Sequence, residues 1–249
     1  ALSPFGLRVE PKPGAARLPH VQAEEGYRKG WFELQDEASQ IAALVAGARP
    51  GEQVLDYCAG GGGKTLALAA LMENRGQIYA YDNDRLRLAP IHERLARAGA
   101  RNVQVRDPRT GSLEDLDGQM DLVFVDAPCT GTGVWRRRPD SKWRLSEKAL
   151  ADRIEEQARV LDAAARFVRP GGRMVYATCS ILDAENHHQI EAFLARDTRF
   201  VRSSAIDAFV AALPGKPKPA HISPEGHFLL TPASTDTDGF FLSVVTRVG

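Results

Sequence analysis

Two of the three cysteines stand in polar turns that follow apolar runs, Cys129 in DLVFVDAPCTGTG and Cys179 in GGRMVYATCSI. A thiolate is the best side-chain nucleophile at neutral pH. In an open α/β sheet, ligands bind beyond the ends of the strands. Two thiols delivered to one such cleft point to covalent chemistry on an electrophilic ring. Cys58 differs, because it continues a buried strand and reads as packing. There is no C-x-x-C spacing, which argues against a cysteine zinc site. His187 and His188 are adjacent rather than four apart on one helical face, so no metal is expected.

A second chemical feature is the glycine-rich turn DYCAGGGGKT. Glycines between a strand and a helix let the backbone approach a ligand closely. A Walker A loop needs glycine where Cys58 stands, which disfavours ATP. The dinucleotide pattern G-x-G-x-x-G, started at Gly60, ends on Thr65 and fails. Asp56 and the loop suit S-adenosylmethionine, which has no phosphate to cradle. Its carboxylate can use backbone N–H groups and its ammonium can meet an acidic residue. The candidate cofactor residues are therefore Cys58, Ala59, Gly60, Gly61, Gly62, Gly63 and Lys64, with Asp82, Arg87, Asp107 and Asp126. Asp82 ends the second strand, where a carboxylate can accept from both ribose hydroxyls. Asp107 follows the third strand and is a candidate for the adenine amino group, with a solvated surface role equally open.

These turns need strands and helices to hold them. Apolar spacing over Leu34–Val45 predicts a helix that Gly47 and Pro50 stop. From there strand and helix alternate: strands at Gln53–Tyr57, Gln77–Tyr81, Val103–Val105, Met120–Val125 and Arg173–Ala177, with helices at Lys64–Met72, Arg85–Ala98, Ser146–Val168 and Asp183–Arg196. Ser146 and Asp183 are the expected N-caps, and Ala149 stands where a capping box would need Glu or Gln. Phe228–Thr231 and Phe240–Val245 read as a closing pair of strands. Repeated β-α units imply an α/β fold, a parallel sheet covered by helices on both faces.

Residues 1–30 carry Pro4, Pro11, Pro13, Gly14 and Pro19, and read as an extended arm or the remnant of a preceding RNA-binding domain, with a catalytic domain over residues 31–249. The chain opens at Ala1 without Met, which suggests a processed or truncated chain. Lys216-Pro217-Lys218-Pro219 reads as a surface loop.

Hydrophobic residues make up 43% of the 249-residue chain and charged residues 26%, an ordinary globular balance with enough chain for a full core. No apolar run reaches a membrane span and no signal-peptide pattern opens the chain. Three cysteines without a disulfide pattern fit a reduced, cytoplasmic setting. With 32 basic and 32 acidic residues, bulk charge does not indicate nucleic acid. Charge is uneven, however. Arg136, Arg137, Arg138, Lys142 and Arg144 face only Asp140 in their short segment.

Several motifs in order make the chain resemble the RNA cytosine-5 methyltransferases of the RsmB/Sun family: LQDEAS, DYCAGGGGKT, YAYD, DAPCTGTG, RRRPDSKW, YATCSI followed by Glu185-Asn186, and DGFF, together covering roughly residues 30–249. Gly60-Gly61 stands where the family usually has Ala-Pro. The resemblance implies a Rossmann-like methyltransferase fold with a mostly parallel seven-stranded sheet and an antiparallel closing strand. It also implies S-adenosylmethionine as cofactor, cytosine carbon 5 of RNA as target, ribosomal RNA first, and a monomer. DNA cytosine-5 methyltransferases attack from the Pro-Cys cysteine, whereas the RNA family uses the Thr-Cys-Ser cysteine. By that resemblance Cys179 attacks and Cys129 assists release, while Lys64 faces the base. Asp126 would donate to ring nitrogen 3 if protonated, or accept from the exocyclic amine if ionised. The basic segment after the DAPC turn would meet phosphates, and Trp135 and Trp143 would stack on bases, unless the segment is a solvated loop with buried tryptophans. Two other readings stay open: the same chemistry on transfer RNA, and a non-catalytic RNA assembly factor, against which the two thiols argue.

Overall fold

The computed structural model describes residues 2–9 and 20–249, so Pro11, Pro13, Gly14 and Pro19 lie outside the described residues. Its strands are β1 Gln53–Asp56, β2 Gln77–Tyr81, β3 Val103–Arg106, β4 Met120–Asp126, β5 Val168–Thr178, β6 Phe200–Ser203, β7 His221–Ile222, β8 Phe228–Leu230 and β9 Phe240–Arg247. Its helices are α1 Glu25–Arg28, α2 Glu37–Ala46, α3 Gly63–Leu71, α4 Arg85–Leu88, α5 Ile91–Ala98, α6 Glu147–Ala165, α7 His187–Arg196, α8 Ala205–Ala212 and α9 Pro232–Thr235. All nine strands form one sheet, in the order β3-β2-β1-β4-β5-β9-β8-β7, with β6 also on β9. The first five are mutually parallel, and β9 runs antiparallel to β5, β6 and β8.

Period-two alternation explains both faces of the sheet. Val54, Phe124 and Val175 point into a core with Ile41 of α2, Leu68 of α3 and Phe209 of α8. Their neighbours Leu55, Val123 and Tyr176 point into a second core with Leu161 of α6 and Phe193 of α7. Each fully buried side chain of this size contributes about 1.5–3 kcal/mol.

The strand order reverses at β1, which pairs with β2 on one side and β4 on the other. This is the switch point where an α/β sheet opens a crevice. The glycine turn follows β1, and Cys129 follows β4. Cys179 follows β5, the immediate neighbour of β4, with Asp126 in register with Ala177. That register brings the two cysteine turns to one place.

Several expectations need correction. The sheet has nine strands rather than seven, because β6 and β7 were not foreseen; at four and two residues they carry little periodicity. The expected helix Arg85–Ala98 is two, since Pro90 has no N–H for the ladder and instead occupies the N-cap position of α5. β5 starts at Val168, not Arg173, and takes Pro170, Gly171 and Gly172 into an irregularity opposite Met120–Leu122. Ser146 caps α6 as expected, accepting from the Ala149 N–H. Asp183 is not the N-cap of α7. It starts a short 3-10 turn, Asp183–Glu185, and Asn186 occupies the cap position with its side chain turned inward to Thr178.

The described part of the leading segment is held on the domain. The Ser3 N–H donates to Glu37 at 2.8 Å. The guanidinium of Arg97 lies 4.3 Å from the Tyr27 ring centroid, and a Cβ on Gly30 would meet the Arg97 carbonyl oxygen at 1.9 Å.

Candidate active site

The glycine turn climbs off β1 and runs into α3. Gly62 precedes α3 at φ +82°, and a Cβ there would meet Ile91 at 2.4 Å, so both the backbone angle and the space require glycine. The turn lines a cleft of about 240 Å³ together with Gln35, Ser39, Lys64, Arg94 and Asp126. A more open cleft of about 680 Å³ adjoins it, with Asn83, Arg85, Pro108 and Arg109 in its lining, and Arg87 lines both.

The expected acids divide by position. Asp56 is 1% exposed and lies beneath the turn, accepting from the Thr65 hydroxyl at 2.7 Å. Burial pushes its carboxyl up to about 7, against that hydrogen bond. It anchors α3 rather than lining the cleft. Asp82 is also buried, accepting from the N–H of Gly60 and of Asp84, both at 2.9 Å, with Arg87 at 4.0 Å. Asp107 is half-exposed, 3.4 Å from Arg85, and accepts from the Arg109 N–H. Asp126 lines the cleft and accepts from the Lys64 ammonium at 2.7 Å. Burial opposes the charge on Lys64, but the charge and hydrogen bond of Asp126 outweigh it and raise the amine. Burial pushes the Cys58 thiol well up, aided by Asp82, Asp126 and Asp56, which leaves it a poor nucleophile.

The two remaining thiols meet, with Sγ atoms 3.3 Å apart. Hydrogen bonding from Cys129 lowers Cys179, burial and Asp126 oppose this, and the charge of Lys64 lowers it further. Cys129 moves the other way: the bond to Cys179 raises it first, then burial, with nearby Glu185 adding to the rise. The two shifts have opposite signs, so Cys179 is the more acidic thiol of the pair.

Their turns are stapled to each other. The Gly133 N–H donates to the Cys179 carbonyl at 2.9 Å, and the hydroxyls of Thr132 and Ser180 are 3.0 Å apart. A Cβ on Gly133 would lie 2.2 Å from the Gly239 carbonyl oxygen, so the DGFF segment packs directly on this joint. Glu185 is fully buried and accepts from the Thr130 N–H at 2.8 Å and from Gln157 at 3.0 Å. Gln157 also donates to the Pro128 carbonyl at 2.9 Å, and Asn186 donates to the Ser180 carbonyl at 2.9 Å.

Sequence reading overlooked Gln157, Arg94 and Asp238. Arg94 donates to the Gly61 carbonyl at 2.7 Å and pairs with Glu33 at 3.1 Å, bracing the glycine turn from α5. Asp238 binds Arg136 at 2.7 Å and also pairs with Arg137, while Arg136 reaches Asp36 at 2.5 Å. These long-range acids partly neutralise a segment that looks nearly unopposed in sequence. Arg138, Lys142 and Arg144 are not in those pairs and are all exposed, on the same segment as Trp143, which is 78% exposed with the Lys142 ammonium 4.5 Å from its ring. Trp135 is half-buried.

The sequence profile described as 16S rRNA methyltransferase RsmB/F matches residues 43–246. The chain belongs to this family. Ribosomal RNA small subunit methyltransferase B of Enterobacter sp. (strain 638) is 35% identical over 246 residues, covering 97% of this chain and 54% of that protein. The chain thus spans about half the length of the curated relatives it matches. Among solved structures, PH0851 superposes with a TM-score of 0.80 at 34% identity, over 90% of this chain and 49% of that one. NSun6 from Pyrococcus horikoshii, solved with SFG, gives a TM-score of 0.77 at 28% identity, over 93% of this chain and 57% of that one. S-adenosylmethionine is the cofactor indicated for the RsmB/F family, and the residues here fit it. α3 starts at the cleft, so its first-turn N–H groups have no partner within the helix. Backbone donors and the acid Asp126 on one cleft match the carboxylate and ammonium of an amino-acid group. Among the described residues, no helix is long and apolar enough to cross a membrane.

Proposed function

We propose that this chain is the catalytic part of an enzyme that methylates carbon 5 of cytosine in ribosomal RNA, with Cys179 as nucleophile and Cys129 aiding release. The observation that carries the reading is the 3.3 Å thiol pair, in which Cys179 is the more acidic partner. Unaided, carbon 5 of cytosine is too weakly nucleophilic to accept a methyl group. The Cys179 sulfur adds to carbon 6, its electron pair forming the S–C bond while density moves toward carbon 5. When bound, S-adenosylmethionine supplies an electrophilic methyl group to that carbon. A base then takes the carbon 5 proton, either a water that Cys129 orients or Cys129 itself after giving its own proton to solvent; the electron pair of that C–H bond re-forms the ring double bond and Cys179 leaves as a thiolate. Because Asp126 is ion-paired with Lys64, it acts as an acceptor for the exocyclic amine rather than as a donor to ring nitrogen 3. Lys64 keeps the cleft electropositive while the ring carries charge.

Gln35, the glycine turn and Asp126 would hold the cofactor's amino-acid end, with Arg87, which lines both clefts, next to them; Asp82 and Asp107, which line neither cleft, are the acids assigned to the ribose and the adenine. Arg138, Lys142 and Arg144 reach RNA phosphates, and Trp143 offers a stacking face. The full relatives' activity is proposed here for a chain that covers half of them.

The test is transfer of labelled methyl groups to small-subunit ribosomal RNA, followed by bisulfite sequencing. The expected result is conversion-resistant cytosine in that RNA. Label on another atom or base would overturn the chemistry, and label confined to transfer RNA would overturn the substrate.

A further inference from the structure

We propose that His187, Glu191 and His227 form a site for a zinc-class divalent cation that clamps α7 to β8. His187 is the first residue of α7 and Glu191 lies one turn later, so both occupy one helical face. His227 immediately precedes β8 and arrives from a distant part of the chain. One ligand atom from each side chain lies within 4.8 Å of the others.

The decisive observation is unmet polarity. His227 is 1% exposed, yet neither ring nitrogen has a hydrogen-bond partner, and Nδ1 of His187 is also buried without one. A neutral imidazole carries one donor and one acceptor, and burying both unpaired is costly. A cation would engage lone pairs from both rings. Two imidazoles and a carboxylate are a borderline-soft set that suits zinc better than calcium or magnesium. Glu191 pairs with Arg202 at 3.2 Å, and this contact can orient the carboxylate as an outer partner. Glu225, two residues before His227, adds negative charge beside both rings. His188 stands exposed beside the cluster and is not part of it.

The position matters for the neighbouring site. Residues Glu185 and Asn186, which hold the two cysteine turns, directly precede His187. A cation here would fasten the start of α7 without touching either thiol.

The test uses the purified chain, stripped with a chelator and titrated with zinc chloride by calorimetry. The expected result is saturable binding with stoichiometry near unity and a rise in thermal midpoint. His187→Asn and Glu191→Gln, both at half-buried positions, should each weaken binding by more than about tenfold. His227→Phe is a third variant, informative only if its circular dichroism matches the parent. Because thiols also bind zinc, a Cys129→Ser/Cys179→Ser chain is titrated in parallel and should bind as the parent does. Absence of binding, affinity unchanged in His187→Asn and Glu191→Gln, or loss of binding with the cysteines would each overturn the site.

Discussion

The turns after β4 and β5 bring the same atom to the same space, yet their thiols shift in opposite directions. Cys129 is raised first by its bond to Cys179, then by burial, with Glu185 adding to the rise. Cys179 is lowered by the same bond and by the charge of Lys64, against burial and Asp126. The residue types alone are nearly symmetric: a short polar turn, a cysteine, a hydroxyl neighbour. Asymmetry comes from what the other elements place nearby. The bond between the thiols is the largest cause of both shifts; burial and Glu185 add to the rise at Cys129, and Lys64 adds to the fall at Cys179 against burial and Asp126.

The largest expected effect separates these roles. Cys179→Ala removes the attacking atom, and methyl transfer should fall by more than about 10⁴-fold, with no RNA adduct on a denaturing gel. Cys129→Ala keeps attack but slows release, so turnover should fall by about 10²- to 10⁴-fold while a covalent adduct accumulates. An adduct in the Cys179 variant would exchange the two assignments.

A smaller effect probes the electrostatic cause. Lys64→Met removes a positive charge that lowers Cys179, so the thiol should deprotonate at higher pH than in the parent. Alkylation of Cys179 by iodoacetamide would then rise at higher pH, and kcat/KM should drop by about 10²- to 10³-fold. An unmoved alkylation profile would mean that the Cys129 hydrogen bond alone makes the thiolate.

The smallest effect tests the joint between the turns. Gly133→Ala would place a Cβ 2.2 Å from the Gly239 oxygen and 2.8 Å from the Cys179 oxygen. A stability loss of about 1–3 kcal/mol is expected in urea unfolding. A variant of parental stability would show that the turns can separate freely.

Much of this was legible in the chain because it is local. A run such as Met120–Val125 alternates across a sheet by covalent geometry, and a glycine run between strand and helix reads as a ligand turn. The thiols, the turn and Lys64 were all visible as candidates. What escaped was non-local or short. Asp238 lies about a hundred residues from Arg136 and Arg137, so the basic segment looked less neutralised than it is. Arg94 reads as an ordinary surface residue of α5 until the fold sets it against Gly61. Asp56 looked suited to the cofactor from its place in the turn, but it is buried and bonded to Thr65 in the first turn of α3. His227 had no signal at all, since its partners stand on a helix about forty residues away.

By itself the sequence determines the alternation of strand and helix from β1 to β5, the position of the glycine turn and the presence of two thiols in polar turns, because periodicity and turn chemistry act between near neighbours. The tertiary structure alone decided that β4 and β5 lie side by side, that the thiols meet at 3.3 Å, and that Cys179 is shifted down while Cys129 is shifted up. Those outcomes depend on burial and on charges brought together from distant segments, and both exist only once the chain has packed.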